Sequence, residues 1–371
     1  MNPVRSFKNR LRERSNGVKK IANSSGNGCG YRKPHHSPVA YRKPDYGLVA
    51  KKVFSLFWRF GISVILLFVL FKKIDFKSTF GVIANLDKPY FFLAIAIFFV
   101  LDFFALLRWK MLLDAQGARF PLKRVLGSFG GGLFFSLFLP STIGGDVART
   151  LDLGIHSKSR SVIAASVFLD RLSGFVGLVL VALVSLIFGS RLISEPSVYL
   201  VVFLLLGILA ALLLVIFNNG IYNWLNRSIH KKGIVDNIRK LHSEMYFFRS
   251  QPRVLVLNVL YSVIIQAGSS LFSYCVLRSL GVRINVLYPL IFNPVITVIT
   301  TLPVSIGGLG LRDMSSVFFY AKAGVSQNIA LAQSILNFSV IVFFGLIGGI
   351  IYVSAFRHRR IQPHQANQRP E

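Results

Sequence analysis

Long apolar stretches alternate with short basic ones along most of this 371-residue chain. Apolar runs cover 61–71, 89–107, 174–189, 198–217, 254–277 and 335–355. Each approaches the ~20 residues a helix needs to cross a ~30 Å hydrocarbon layer. The pattern predicts an all-α polytopic membrane protein. Two places break it in the same way: Leu139-Pro-Ser-Thr-Ile-Gly-Gly-Asp-Val-Ala-Arg149 and Leu302-Pro-Val-Ser-Ile-Gly-Gly-Leu-Gly-Leu-Arg312. Both read L-P-x-[ST]-I-G-G-x-x-x-R, 163 positions apart from Pro140 to Pro303. Helix breakers and a cation are costly in lipid, where each unpaired backbone group or charge costs several kcal/mol. A second copy points to a duplicated membrane unit whose broken segments meet at a site, as carriers are built.

Charge supplies the topology. Residues 1–52 hold thirteen Lys/Arg against two acids, with Tyr-Arg-Lys-Pro at 31–34 and again at 41–44. This tail has no apolar core of its own, so it reads as a disordered cytoplasmic segment held to anionic lipid rather than a signal peptide. The repeated tetrapeptide leaves a short-motif role open. Basic excess at 108–124, 218–253 and the 356–371 tail places those segments inside as well. These assignments agree if spans at about 53–71, 89–107, 161–189, 198–217, 254–277 and 328–355 cross fully, while 125–140 and 286–303 enter and turn back. The expectation is six full crossings plus two re-entrant broken helices, in inverted repeats at about 89–217 and 253–355. The alternative is eight full spans. Residues 221–250 read as an interfacial amphipathic segment.

The net charge of +29 is accounted for by this inside bias, which gives nucleic acid no part in the reading. Cys29 and Cys275 make neither a disulfide framework nor a metal site. No cofactor is expected. Phosphate-loop, H-E-x-x-H and G-x-S-x-G motifs are absent from the sequence, so no catalytic residue is assigned.

Chemistry concentrates in the repeated phrase. Pro140 and Pro303 stop a helix, and Gly144, Gly145, Gly307 and Gly308 let the backbone turn. Ser141, Thr142 and Ser305 are suited to cap the helix that restarts after the glycines. Such a helix start favours an anion, and Arg149 and Arg312 one turn on add bidentate donors for a phosphate. The competing reading is close helix packing with each arginine snorkelling to an interface. Asp102, Asp146, Asp170, Arg171 and Asp313 form a candidate charge network, in which Asp146 or Asp170 pairs with Arg149. Arg59 and Asp313 have interfacial placement as an alternative. Gln266, Asn293, Gln333 and Asn337 either line the same cavity or make ordinary interhelical hydrogen bonds.

The run Leu107-Arg-Trp-Lys-Met-Leu-Leu113, the first repeated phrase, Leu169-Asp-Arg-Leu172, the second phrase through Asp313, Ala323-Gly-Val325 and Gly348-Gly349 together resemble the lysylphosphatidylglycerol synthase transmembrane-region family, the flippase-like domain proteins. The resemblance covers roughly 50–355. It implies translocation of an anionic phospholipid or lipid-linked head group between leaflets of the cell membrane, with relatives tied to polyprenyl-phosphate sugars. No aminoacyl-transferase domain follows residue 355, and Asp313 stands where the family more often has Glu, so a lysyl-lipid is not the expected cargo. An accessory subunit or enzyme of lipid head-group transfer, working with a separate lipid-modifying partner, and a non-transporting envelope scaffold remain the alternatives.

Overall fold

The computed structural model describes residues 76–139, 143–155, 157, 160–191, 196–218, 246–301 and 308–360. Among them all regular structure is helical: α1 (Phe76–Ala84), α2 (Lys88–Ala115), α3 (Leu122–Phe138), α4 (Ile143–Gly154), α5 (Arg160–Phe188), α6 (Pro196–Phe217), a 3-10 turn (Phe247–Ser250), α7 (Pro252–Ser279), α8 (Leu287–Thr301), α9 (Leu311–Lys322) and α10 (Gln327–Arg360). Five of these are long and apolar enough to cross a membrane: α2, α5, most of α6 from Val198 to Ile216, α7, and α10 as far as Ala355. The sixth expected crossing, 53–71, lies outside the described residues, as do most of 221–250, the 1–52 tail and residues 361–371; α10 runs on to Arg360, into the tail expected from 356.

Corresponding elements are built alike in the two halves. α2 and α7 each have 28 residues and open on a proline in the first turn, where the missing N–H leaves nothing unpaired. Each stops on a glycine that takes positive φ, Gly117 at 78° and Gly281 at 80°. The next amide then bonds back to Leu113 or Leu277, which satisfies the last carbonyls. α9 ends identically at Gly324, φ 78°, with Val325 N–H donating to the Tyr320 carbonyl.

The two broken segments are antiparallel helical hairpins. α3, with 17 residues, and α8, with 15, rise only about 25 and 22 Å, short of a full crossing. In the first hairpin Ser128 Oγ donates to the Arg149 carbonyl, and a Cβ on Gly132 would lie 3.2 Å from the Gly145 carbonyl oxygen. In the second, Gly308 sits against Thr300, and the Phe292 ring stacks 5.6 Å from that of Phe319. Leu113, Val125, Leu153 and Ile163 share one apolar cluster, so α2 ends, α3 begins, α4 ends and α5 begins at the same level. The same holds for Ile291, Phe319, Val325 and Ala330 in the second half. Each hairpin therefore returns the chain to the level it left, as the re-entrant reading requires and eight full spans do not.

The halves are inverted because α2 and α7 lie antiparallel along each other. Asp87 N–H bonds the Ser279 carbonyl at 2.7 Å at one end, Phe98 meets Phe272 further along, and Phe104 meets Tyr261 beyond that. Two equivalent helices running in opposite directions relate their repeats by a rotation axis in the membrane plane. One pair of contacts is exchanged across that axis: α3 packs on α10, and α8 packs on α5.

α2 continues to Ala115, which corrects the expected loop at 108–124. Arg108 is therefore a buried helical residue rather than a loop cation. Leu106, Trp109, Leu112 and Leu113 follow helical spacing and are all buried, and that burial extends the helix.

Candidate functional site

The first hairpin carries a connected ionic chain. Ser262 on α7 accepts a bond from Arg108 Nη1 at 2.9 Å. Arg108 Nε donates to Asp170 Oδ1 at 2.8 Å, and the other oxygen of Asp170 accepts from Arg149 Nη2 at 2.9 Å. Arg149 also holds Asp146 Oδ1 at 2.9 Å, and Asp146 Oδ2 accepts from Arg171 Nε at 2.6 Å. Both foreseen partners of Arg149 are thus engaged at once. The Arg149 guanidinium lies 4.6 Å over the Trp109 ring, whose indole N–H bonds Ser166. Asp146, Arg149, Asp170 and Arg108 are buried, while the Arg171 side chain is half exposed. Two carboxylates therefore already hold Arg149 in this structure.

The second hairpin repeats the placement with less charge. Arg312 lies 4.5 Å over the Phe338 ring, as Arg149 lies over Trp109. Its Nε donates to Ser334 Oγ at 3.1 Å and its Nη2 to Asp313 Oδ1 at 3.2 Å. Ser334 donates to the same Asp313 oxygen at 2.6 Å, and Asp313 Oδ2 accepts the Gly310 N–H at 3.0 Å, so the acid caps α9. Gly308 and Gly310 both take positive φ, 75° and 76°, where a side chain would be strained.

Two cavities flank α2. One, about 190 Å³, is lined by Arg108, Asp146, Arg149, Asp170 and Arg171 together with Gly132 and Gly145. The other, about 230 Å³, is lined by Arg312, Thr300, Leu309 and the aromatic rings of Phe98, Phe338 and Phe344. Asp102, Leu133 and Ser136 line both, forming the wall between them. Asp102 does not join the ionic chain: among the described residues no cation lies within ion-pair distance of it.

The remaining expected residues divide. Pro140, Ser141, Thr142, Pro303, Ser305 and Gly307 lie outside the described residues. Gly144 and Gly145 fall inside the first turn of α4, which begins at Ile143, so here the helix does not wait for the glycines. A Cβ on Gly145 would run into the Gly132 carbonyl and Ser136 Oγ; that close approach, rather than a turn, requires the glycine. Asn293 and Asn337 bond Ser269 and Ser273, which ties α7, α8 and α10 together in the ordinary interhelical manner. Five participants were not among the expected site residues: Arg108 and Trp109, present only in the run that carries the family resemblance, and Ser262, Ser334 and Phe338. The helical spacing through Trp109 could have flagged the first two; the serines carry no signal of their own.

Similarity to known proteins agrees with this architecture. The chain is 23% identical over 316 residues to the UPF0104 membrane protein PH1989 of Pyrococcus horikoshii, covering 78% of this chain and 94% of that one. It is 23% identical over 272 residues to a UPF0104 membrane protein of Methanothermobacter thermautotrophicus, covering 68% and 80%. The model of the lysylphosphatidylglycerol synthase TM region matches residues 56–349, which take in both hairpins and both cavities; the chain belongs to that family.

Proposed function

We propose that this protein carries an anionic lipid head group from one leaflet to the other. The observation behind the reading is the pair of cavities on either side of Asp102, one ending at the Arg149 chain and the other at Arg312. Their volumes suit a phosphate with a small substituent, not a whole lipid, so the acyl chains would trail in the bilayer along the apolar outer faces. The Arg149 chain sets three arginines against two paired aspartates, so the first cavity attracts an anion whenever Asp102 on its wall is neutral. Inverted hairpins offer equivalent entries from opposite leaflets, and rocking of residues 89–217 against 253–355 would open them in turn. Following the inside bias of basic segments, both termini face the cytoplasm and the protein sits in the cell membrane.

The test is dithionite quenching of NBD-labelled anionic phospholipid in vesicles containing the purified protein. Arg312→Ala removes a charge-assisted contact of about 1.5–3 kcal/mol and should slow flipping roughly 10–100-fold. The proposal fails if wild type does no better than protein-free vesicles, or if Arg312→Ala keeps the full rate.

A further inference from the structure

Asp102 is the unusual group in this site. It sits mid-way along the 28-residue α2, on the wall common to both cavities, and is the one charged lining residue that no opposite charge neutralises among the described residues. On α2 itself the nearest cation is Arg108, six residues on and about 9 Å further along the axis, and it is spent on Asp170. α4 contributes Asp146 and Arg149, and α5 contributes Asp170 and Arg171, all paired among themselves. α9 contributes Arg312 with Asp313. α3 has no charge beyond Arg124, α7 none between Arg253 and Arg278, and α10 none between Gln327 and Ala355; their titratable groups are Tyr261, Tyr274 and the thiol of Cys275 on α7 and Tyr352 on α10.

A carboxylate within an apolar span is costly to leave charged and unpaired, so with no fixed cation beside it among the described residues Asp102 calls for a neutralising ion from the cavity. A metal ion would need several oxygen ligands, and the wall offers only Ser136 beside Leu133. A proton needs one. The charge count of the first cavity gives that proton a task. Arg108, Arg149 and Arg171 face Asp146, Asp170 and Asp102, so the cavity is neutral with Asp102 ionised and carries one positive charge with Asp102 protonated.

We propose that Asp102 is the proton-carrying group of the transport cycle, taking one proton from the open side with each singly charged head group and releasing both on the other. The proposal rests on the transport reading above and adds its driving ion. Protonation makes the first cavity attractive to an anion; deprotonation restores neutrality and expels it. The loaded carrier holds one proton and one negative charge, so the moving step transfers no net charge. Counting back equally from the turn glycines Gly117 and Gly281, the position of Asp102 corresponds to Gln266 on α7, an amide that cannot titrate. One acid per carrier fixes one proton per lipid.

The experiment uses the full chain in phosphatidylcholine vesicles carrying a trace of NBD-labelled phosphatidylglycerol, with two other singly charged phosphodiesters, labelled phosphatidylinositol and a labelled polyprenyl-phosphate sugar, in parallel. A one-unit pH gradient is imposed, and potassium with valinomycin holds the membrane potential at zero. Labelled lipid should collect in the leaflet facing the alkaline side, to about tenfold asymmetry for one proton per lipid. Asp102→Asn, locked in the neutral form, should leave the label evenly distributed whatever the gradient. Even distribution by wild type under the gradient, or asymmetry retained by Asp102→Asn, overturns the proton role while leaving transport intact. If wild type moves none of the three lipids faster than protein-free vesicles, the transport reading itself falls and the proton role falls with it.

Discussion

The hairpins α3–α4 and α8–α9 share a backbone plan and differ in what fills it. Each sets an arginine flat on an aromatic ring, Arg149 on Trp109 and Arg312 on Phe338. Around Arg149 the counter-charges come from two helices and lead on to two further arginines; around Arg312 there is one aspartate, helped by a neutral serine hydroxyl. The supporting interfaces differ too. α3 meets α10 glycine to glycine at Gly130 and Gly348, where a Cβ on either would fall within 2.7 Å of the other's carbonyl oxygen. The equivalent contact of α8 with α5 is filled by Ile291, Val295, Ala182 and Leu186. Duplication has kept the location of the cation and freed everything that neutralises or supports it.

The largest effect expected from this contrast is at Asp170. Asp170→Ala strands Arg108 and Arg149 without their shared carboxylate, and loss of a buried ionic partner costs about 3–5 kcal/mol. Ser334→Ala in the second hairpin removes hydrogen bonds alone and should cost about 0.5–1.5 kcal/mol. Thermal unfolding in detergent compares them, and equal losses would break the distinction between a charged and a polar hairpin.

Next comes the interface. Gly348→Val drives side-chain atoms into the α3 backbone and should cost about 1–3 kcal/mol, the usual penalty for overpacking. Ile291→Val, at the counterpart contact, trims one methylene for about 0.5–1.5 kcal/mol. A harmless Gly348→Val would show that the helices do not need their close approach.

The smallest effect belongs to the half-exposed rim. Arg171→Gln releases Asp146 from a solvent-screened pair and should change stability by under about 1 kcal/mol. A loss as large as that at Asp170 would make Arg171 an integral member of the buried chain and sharpen the asymmetry further.

Most of the helical plan was legible because lipid demands long apolar runs, and each long helix of the described residues contains one, although α2, α5 and α10 extend well past theirs. Re-entry followed from loop charge, since basic segments on one side allow only an even number of crossings between them. Asp146 and Asp170 stood out as acids in apolar surroundings near an arginine. Arg108 did not, because an arginine after an apolar run is what the inside bias predicts anyway; only the helical spacing of Leu106, Trp109 and Leu113 distinguishes the two cases. Asp102 was readable as a buried acid, yet its isolation depends on helix rotation and rise relative to Arg108, which residue order alone does not convey. The helix start at Ile143, ahead of its glycines, was hidden because Gly145 answers to a neighbour, Gly132, on another helix.

Because α3 leans on α10 and α8 leans on α5, neither half of the chain closes over its own interior. A half-length polypeptide would leave the glycine face of one hairpin and the flank of one long helix uncovered. Only a second half inserted upside down supplies the missing surfaces. The fold is in this sense an antiparallel, self-complementary dimer written on one strand.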